Sequence, residues 1–452
     1  MRWLASILPA AVVAAVVAPG IAAANGRAPA TNGIAFRPGD DQSMYVRTTF
    51  GLLVSHDDGC SFRWVCEKAI GYGGEFDPKY AIATDGTIFA TTFTGLRVSR
   101  DGGCSWVTAT AEANGADPGR IAEMWIDGID IAPNGEVWVA TAESAKPNNV
   151  YRSTDNGVTF APMGLSSATI WWKDVDVAKS DAQRIYVTGY QVAPEAIAFL
   201  RRSDNAGGQW TDKPLTGVAY GSTPIVHVVA LDPTVPDHFF LTSTGASPPN
   251  GDRLYESTNG GDSFTEVLST TDPIRDVVIR PDGAVLAATS VGGTFQRAMG
   301  GTMFAPLGEP VPNAPDTKPL RFGCLGQRPD GTLIGCGANW QPDYMALGRA
   351  TSPLAFQKVF RFVEIAGTLA CPAGTTSATE CDPMWPALRE QFGATGPTAT
   401  CGFVPDPPTP VAPKVDTGCC DARGAAAPGA ILLACGTVVV LLRRRRKKDC
   451  CR

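Results

Sequence analysis

One short motif recurs along the chain at regular intervals. Its pattern is Ser-x-Asp/Asn-x-Gly-x-x-aromatic, and it first occurs as SHDDGCSF at 55–62. Counted by the final aromatic residue, seven copies lie 40 to 54 residues apart, and the last two are degenerate. Self-similarity at such a period is typical of a repeat architecture. The pattern residues of the five well-formed copies are Ser55, Asp57, Gly59, Phe62, Ser99, Asp101, Gly103, Trp106, Ser153, Asp155, Gly157, Phe160, Ser203, Asn205, Gly207, Trp210, Ser257, Asn259, Gly261 and Phe264.

A second series of segments runs in phase with the motif. Before each copy lies a short apolar strand that ends at a turn, as in YAIATDG and GIDIAPNG, and another β-rich run follows it. Each repeat therefore supplies four short strands. The sequence predicts an all-β fold, a seven-bladed β-propeller of four-stranded antiparallel blades, over residues 31–365.

The motif itself has the composition of a turn. An Asp or Asn side chain accepts hydrogen bonds from backbone N–H groups further along the turn. Gly103 supplies a positive φ angle at low cost, and Trp106 is expected to pack between blades. A catalytic serine or aspartate would not be needed five times around one ring, so we interpret the motif as structural.

These copies resemble the Asp-box, or BNR, repeats of sialidases, sortilin-type receptors and photosystem assembly factors. The resemblance covers about residues 31–360, and two of the seven copies depart from it. It implies a blade hairpin and carries almost no information about activity.

Both ends of the chain carry targeting patterns. Met1-Arg2, an apolar stretch and a small-residue site ending at Ala24 predict a secretory signal peptide over 1–24. The alternative is a buried N-terminal helix. After the propeller, we expect a cysteine-containing cap with a short helix (366–401), a Pro-rich linker (402–418) and a tail (419–452).

The tail combines an apolar stretch, 425–442, with a following run of four arginines, which predicts a transmembrane segment with a cytoplasmic basic end. The order of DTGCCDAR, apolar span and arginines resembles the MYXO-CTERM sorting tail of myxobacterial surface proteins. That resemblance implies processing by a sorting protease near Gly418 and Cys419, followed by release to the cell surface or outer membrane. The alternative is a permanent single-pass anchor in the inner membrane.

The chain has 13 cysteines, which suits an oxidising compartment. Eight of them precede the tail, and sequence spacing suggests but does not fix their pairing. The candidate disulfides are Cys60–Cys66, Cys324–Cys336, Cys371–Cys381 and Cys104–Cys401.

A ligand of a propeller is expected at the mouth of its channel, where each innermost strand begins. Charged and aromatic residues recur at that point of the repeat. The candidate ligand-binding residues are Lys79, Trp125, Asp127, Trp171, Trp172, Lys173, His227, Arg275 and Asp276. A polar mouth edged with aromatic rings suits a glycan or protein ligand. The alternative is that these are solvated strand ends, with the tryptophans packed between blades.

The functional hypothesis is a non-enzymatic, cell-surface propeller that binds a ligand or serves as an interaction platform. One alternative is a sialidase-like glycoside hydrolase, for which Arg275 and Arg321 lie near the right face but a third arginine is lacking. A second is an assembly factor for an envelope complex. The net charge of −6 argues against nucleic acid as partner. With only three histidines, the chain suggests no metal site, and no motif suggests a cofactor.

Overall fold

The computed structural model describes residues 27–74, 76–249, 251–307, 321–352 and 356–397. These residues form seven sheets, and each sheet contains four strands that are consecutive in the chain and antiparallel. By blade, the strands are β1 (Thr31–Phe36), β2 (Met44–Thr48), β3 (Gly51–Ser55) and β4 (Phe62–Val65); β5 (Tyr80–Ile82), β6 (Ile88–Thr92), β7 (Gly95–Ser99) and β8 (Val107–Thr108); β9 (Ile126–Ile131), β10 (Val137–Thr141), β11 (Val150–Ser153) and β12 (Ala161–Pro162); β13 (Trp171–Val177), β14 (Ile185–Gln191), β15 (Ile197–Ser203) and β16 (Thr211–Asp212); β17 (Val226–Leu231), β18 (Phe239–Ser247), β19 (Gly251–Ser257) and β20 (Thr265–Ser269); β21 (Ile274–Ile279), β22 (Val285–Thr289), β23 (Thr294–Arg297) and β24 (Ala305–Pro306); β25 (Cys324–Gln327), β26 (Leu333–Cys336), β27 (Leu347–Ala350) and β28 (Gln357–Phe360).

The first strand of each blade contacts the first strand of the next, and β25 returns to contact β1. This closes a ring of seven blades, and the fold is the all-β seven-bladed propeller that the repeat predicts. We call the face at which the innermost strands begin the upper face, and the face at which they end the lower face. The hairpins between the second and third strands lie at the upper face, because antiparallel pairing brings those ends beside the start of the first strand.

Packing between blades forms the core. The second strands β6, β10 and β22 are buried along their whole length, since both faces of each blade are covered by neighbours. Large side chains fill the seams: Trp138 is fully buried, and the rings of Tyr186 and Phe239 lie 4.6 Å apart between the fourth and fifth blades. Removing such a side chain would leave a cavity that the stacked sheets cannot close.

The recurring motif forms the turn between the third and fourth strands at the lower face. In the second blade, the Ser99 hydroxyl donates to Asp101 Oδ1 over 2.9 Å and accepts from the Gly103 N–H over 2.8 Å. The backbone N–H of Ser105 donates to Asp101 Oδ1 over 2.7 Å. The same serine-centred pair of bonds occurs at Ser55, Ser153, Ser203 and Ser257, with Asn205 and Asn259 accepting in the last two.

After the last blade, the chain folds back onto the first. A 3-10 turn, Phe362–Glu364, leads into β29 (Ile365–Thr368), which pairs in parallel with β4 and makes the first blade five-stranded. Two helices follow, α2 (Thr376–Cys381) and α3 (Trp385–Phe392), while the short helix α1 (Glu67–Ile70) follows β4. Residues 365–397 therefore form a cap on the outer edge of the first blade.

Disulfides fix this cap to two blades. Cys66 bonds Cys381, and Cys104 bonds Cys371, so the first and second blades are each joined covalently to the cap. The predicted pairs Cys60–Cys66, Cys371–Cys381 and Cys104–Cys401 are therefore wrong, because the return of β29 along β4 brings distant cysteines together. The Cys324–Cys336 bond is present, joining directly paired residues of β25 and β26.

Several sequence-based predictions fall on residues outside the described ranges. They are the signal peptide with its cleavage site at Ala24, the processing site at Gly418 and Cys419, and the apolar stretch 425–442. Across the described ranges, no helix combines the length and the apolar character that crossing a membrane requires.

Candidate functional site

A network of charged side chains lies in the channel near the upper face. The Lys79 ammonium, at the start of the second blade, forms an ion pair with Asp174 Oδ1 on the fourth. His227 Nδ1, on the fifth blade, contacts Asp174 Oδ2. Beside them, Lys173 Nζ is paired with Asp127 Oδ2 on the third blade. The network thus connects the innermost segments of four successive blades.

Mutual pairing keeps the central groups of this network charged. Burial opposes ionisation of Asp174, but Lys79 and His227 outweigh it and hold the pKa of Asp174 well below its ordinary value. Burial likewise opposes the charge on Lys79, while Asp174 and Asp127 hold its pKa above the ordinary value. An ion pair with matched partners in a confined site remains charged on both sides.

A second polar cluster lines the channel beside the first blade. Arg47 Nε donates to Asn32 Oδ1 over 2.9 Å, and Asn32 Nδ2 donates to Asp77 Oδ2 over 2.6 Å. Arg47, Lys79 and Asp276 line a channel cavity of about 200 Å³. This volume is below the range of about 300–1,000 Å³ that is usual for small-molecule sites, so the channel at this level has no room for a sugar chain.

Two other carboxyl groups in the channel have raised pKa values. Burial raises the pKa of Asp276 to about 6, although its Oδ2 accepts a 2.7 Å hydrogen bond from the Leu325 N–H. Burial, Asp174 and Asp130 together raise the pKa of Asp176 well above its ordinary value, and its Oδ2 is buried with no hydrogen-bond partner. Beside its ion pairs, the channel therefore holds two carboxyl groups whose charged form is disfavoured by burial.

Aromatic rings surround the mouth on the upper face. Phe93 lies at the tip of the β6–β7 hairpin, with its ring centroid 4.5 Å from that of Phe76 and 4.9 Å from that of Trp125. Lys173 Nζ lies 5.9 Å from the Trp125 ring centroid. We call Phe76, Phe93 and Trp125 the aromatic platform. On the neighbouring blade, the Trp171 and Tyr190 centroids are 5.2 Å apart.

Exposed aromatic side chains occupy the upper face. Among the described residues, Phe93, Tyr220, Trp340 and Tyr344 are the phenylalanines, tyrosines and tryptophans with more than about a third of their surface exposed. All four lie in hairpins or connections that reach the upper face. Aromatic residues are enriched where proteins bind partners, so this distribution singles out one face of the ring.

The structure brings most of the predicted ligand-binding residues to this mouth. Trp125, Asp127, Lys173 and Lys79 lie together with His227, while Trp171 is partly exposed beside Tyr190. Arg275 is exposed, and Asp276 faces the channel cavity.

Trp172 is the exception. It is only 1% exposed, and its indole N–H donates to the Leu165 carbonyl over 2.9 Å. It packs in the core next to the seam and is not available to a ligand. A β-bulge between Trp172 and Asp174 breaks the strict alternation of faces along β13, which the sequence alone did not reveal.

Sequence reasoning missed Arg47, Asp77 and two platform residues, Phe76 and Phe93. Phe93 carried a usable signal, because a large aromatic side chain at the tip of a tight hairpin is unusual where polar residues are preferred. Within the described ranges, no group of three or more His, Cys, Asp or Glu residues is placed to hold a metal ion.

Comparison with solved structures finds chains of similar fold. An ancestral GH74 enzyme superposes with a TM-score of 0.50 at 15% identity, over 68% of this chain and 43% of its own. The GH74 xyloglucanase from Xanthomonas campestris has a TM-score of 0.46 at 16% identity, covering 76% of this chain and 61% of its own. YCF48 from Cyanidioschyzon merolae has a TM-score of 0.46 at 14% identity, covering 69% of this chain and 93% of its own. This chain thus spans less than two thirds of the two GH74 enzymes.

At these identities the likeness concerns the fold alone. Comparison with protein-family models gives no match, and comparison with curated proteins gives none either. The propeller fold hosts many unrelated activities, so function has to be argued from the site.

Proposed function

We propose that the protein is an exported, non-enzymatic binding protein whose propeller presents its upper face to a glycan or protein ligand. The observation that carries the proposal is the joint position of the aromatic platform and the paired charges at the channel mouth. Rings supply apolar contact area, and the paired charges beside them supply directional hydrogen-bond partners. The disulfides suit an extracellular setting, because such bonds persist in oxidising compartments.

The state of the carboxylates favours binding over catalysis. Most glycoside hydrolases use two carboxyl groups that flank a cleft admitting the substrate, and sialidases use a tyrosine nucleophile instead of one of them. Asp127 and Asp174 are engaged by lysines, and Asp276 faces a cavity of about 200 Å³. A ligand resting on the aromatic platform would meet ion pairs instead of an unpaired acid and base.

Site-specific photocrosslinking on the full chain tests this proposal. A benzoylphenylalanine placed at Phe93, which is 46% exposed on the upper face, is compared with one at Val235, which is 47% exposed on the lower face. We expect an adduct with one envelope glycan or protein from position 93 and none from position 235. On a glycan array, binding signals of the unsubstituted protein should be lost in Phe93→Ala and kept in Val235→Ala.

Two results would contradict the proposal. Adducts formed equally from both positions would show no preference for the upper face. Hydrolysis of fluorogenic sialosides or arabinosides that is abolished by Asp276→Asn or Arg275→Ala would show that the protein is an enzyme.

A further inference from the structure

A second cavity, of about 790 Å³, opens on the lower face. Its walls are the ends of β1, β5 and β9, together with the motif turn of the third blade and Lys179 of the fourth. Its volume is within the range of small-molecule sites, and it lies at the opposite end of the innermost strands from the aromatic platform. We call it the lower cavity.

The seventh blade shows what occupies the equivalent space elsewhere in the ring. Arg328 follows the innermost strand there, and its side chain is buried in the seam toward the first blade. Its NH1 donates to Asp58 Oδ1 over 2.6 Å, and its guanidinium carbon lies 5.7 Å from the Phe36 ring centroid. In that seam a planar cation lies on an apolar side chain and is paired with a residue of the next motif turn.

The second blade has an alanine at the same place. Ala83 makes the same turn hydrogen bonds as Arg328: its N–H donates to the Thr87 carbonyl over 2.9 Å, and the Arg328 N–H donates to the Thr332 carbonyl over 2.9 Å. The counterpart of Asp58 is Asn156, and both have a φ of 57° at the same motif position. A methyl group thus stands where the seventh blade has a guanidinium side chain, and Ala83 lines the lower cavity.

The lower cavity is lined by apolar side chains and by carboxylates. Its apolar part includes Phe36, Ile129 and Ile131. Asp85, Asp130 and Asp155 also line it, and Lys179 is bound to Asp130 over 2.7 Å. Arg100 lies nearby: its NH2 donates to the Asn156 carbonyl over 2.8 Å, and its charge helps to lower the pKa of Asp85.

Asp85 is the carboxylate best placed to receive a cation there. Its Oδ2 accepts a 2.7 Å hydrogen bond from Asn156 Nδ2. Burial opposes its charge, but hydrogen bonds from Thr87 and Asn156 outweigh burial and keep the pKa of Asp85 below its ordinary value. Three such bonds, two from Thr87 and one from Asn156, leave about one of the four lone-pair sites of the carboxylate for a further donor.

From this internal precedent we propose that the lower cavity binds a monovalent organic cation with a planar amidinium or guanidinium head and an apolar body. The head lies against Asp85 and Asn156, and the body covers Ile131, as Arg328 does on Phe36 in the other seam. The cation is either a free small molecule or an arginine side chain of a partner. This site is separate from the ligand-binding surface on the upper face and does not depend on it.

Benzamidine is the probe, with neutral benzamide as its isostere. Saturation-transfer NMR on the full chain should show benzamidine binding in the millimolar range and much weaker binding of benzamide. Asp85→Asn should weaken benzamidine binding about tenfold or more, since it removes the charged partner of the head group. N-acetylarginine amide separates the two sources, because tighter binding than benzamidine indicates a partner's side chain and weaker binding indicates a free molecule.

Ala83→Arg is the second variant, because it restores the side chain found in the seventh blade. It should abolish benzamidine binding without lowering the melting temperature. Val291→Ala, 56% exposed in the β22–β23 hairpin on the upper face, is the matched control and should bind benzamidine as the unsubstituted chain does. Equal affinity for benzamide, unchanged affinity in Asp85→Asn, or no saturation below about 20 mM would each overturn the proposal.

Discussion

Lys79 on the second blade forms an ion pair with Asp174 on the fourth, so two innermost segments that are not neighbours in the ring are joined through the channel. A closed ring of sheets leaves a channel along its axis. Polar side chains in this channel can form ion pairs with one another only if they extend across it. The pair therefore has a structural role that is independent of any ligand.

Asp174→Asn should destabilise the fold. It leaves the Lys79 ammonium in the channel without its carboxylate, at a cost of about 1–3 kcal/mol, below the figure for a fully buried pair because the Lys79 side chain is 34% exposed. Urea denaturation at pH 7 measures the loss. The control is Asp212→Asn, which breaks a surface pair with Arg201 whose carboxylate is 72% exposed, and which should cost less than about 0.5 kcal/mol.

The effect of Asp174 should also depend on pH. Because its folded-state pKa is depressed, its stabilising contribution is present above the unfolded pKa and is lost as pH falls through the folded value. The difference between Asp174→Asn and the unsubstituted chain should therefore shrink on acidification below about pH 4. A difference that stays constant down to pH 2 would contradict this account.

Asp276 should have the opposite pH dependence. Its pKa in the folded state is raised to about 6, so folding favours the protonated form. Stability should fall as pH rises from near 4 through 6, where the unfolded chain is ionised and the folded one resists ionisation. Asp276→Asn, which keeps the acceptor for the Leu325 N–H, should stabilise the protein above pH 7 by at most about 3 kcal/mol. Denaturation curves at pH 5 and pH 8 would refute this if the variant were less stable at pH 8.

The cap disulfides should contribute more to stability than the local one. Cys66–Cys381 spans 315 residues, whereas Cys324–Cys336 spans 12. Replacing Cys66 and Cys381 together by alanine should cost about 2–4 kcal/mol in guanidinium unfolding, and the matched double replacement at Cys324 and Cys336 about 1–2 kcal/mol less. Limited proteolysis should also cleave within the cap only in the first variant, while Cys104–Cys371 still holds the cap to the second blade. Equal losses for the two variants would argue against the larger contribution of the cap disulfide.

The fold could be predicted from the sequence because its information is local. Each blade is a run of hairpins, and the Ser–Asp–Gly turn repeats with its own internal hydrogen bonds, so the period alone indicates a ring. The paired cysteines of β25 and β26 were found for the same reason, since they face each other across one hairpin.

Long-range features could not be predicted in this way. No sequence pattern predicts that β29 pairs in parallel with β4. The positions of Cys371 and Cys381 depend on this pairing. At the site, the charged mouth could be predicted from the position of each residue in the repeat. The bulge at Trp172 could not, and it changes which side chains face the channel. The proposed cation site in the lower cavity depends on aligning Ala83 with Arg328, and that alignment rests on their turn hydrogen bonds.

Substitutions in the motif turn of the second blade test whether the motif residues have a structural or a chemical role. Asp101→Asn should change the free energy of unfolding by less than about 1 kcal/mol, because only an acceptor oxygen is required and Asn205 accepts from its serine over 3.0 Å in the fourth blade. Ser99→Ala should cost about 1–3 kcal/mol, since Ser99 is fully buried and the Gly103 N–H would lose its acceptor. Thermal unfolding of both variants measures the contrast. If Asp101→Asn abolished ligand binding at the upper face while leaving stability intact, the aspartate would have a role that its turn geometry does not explain.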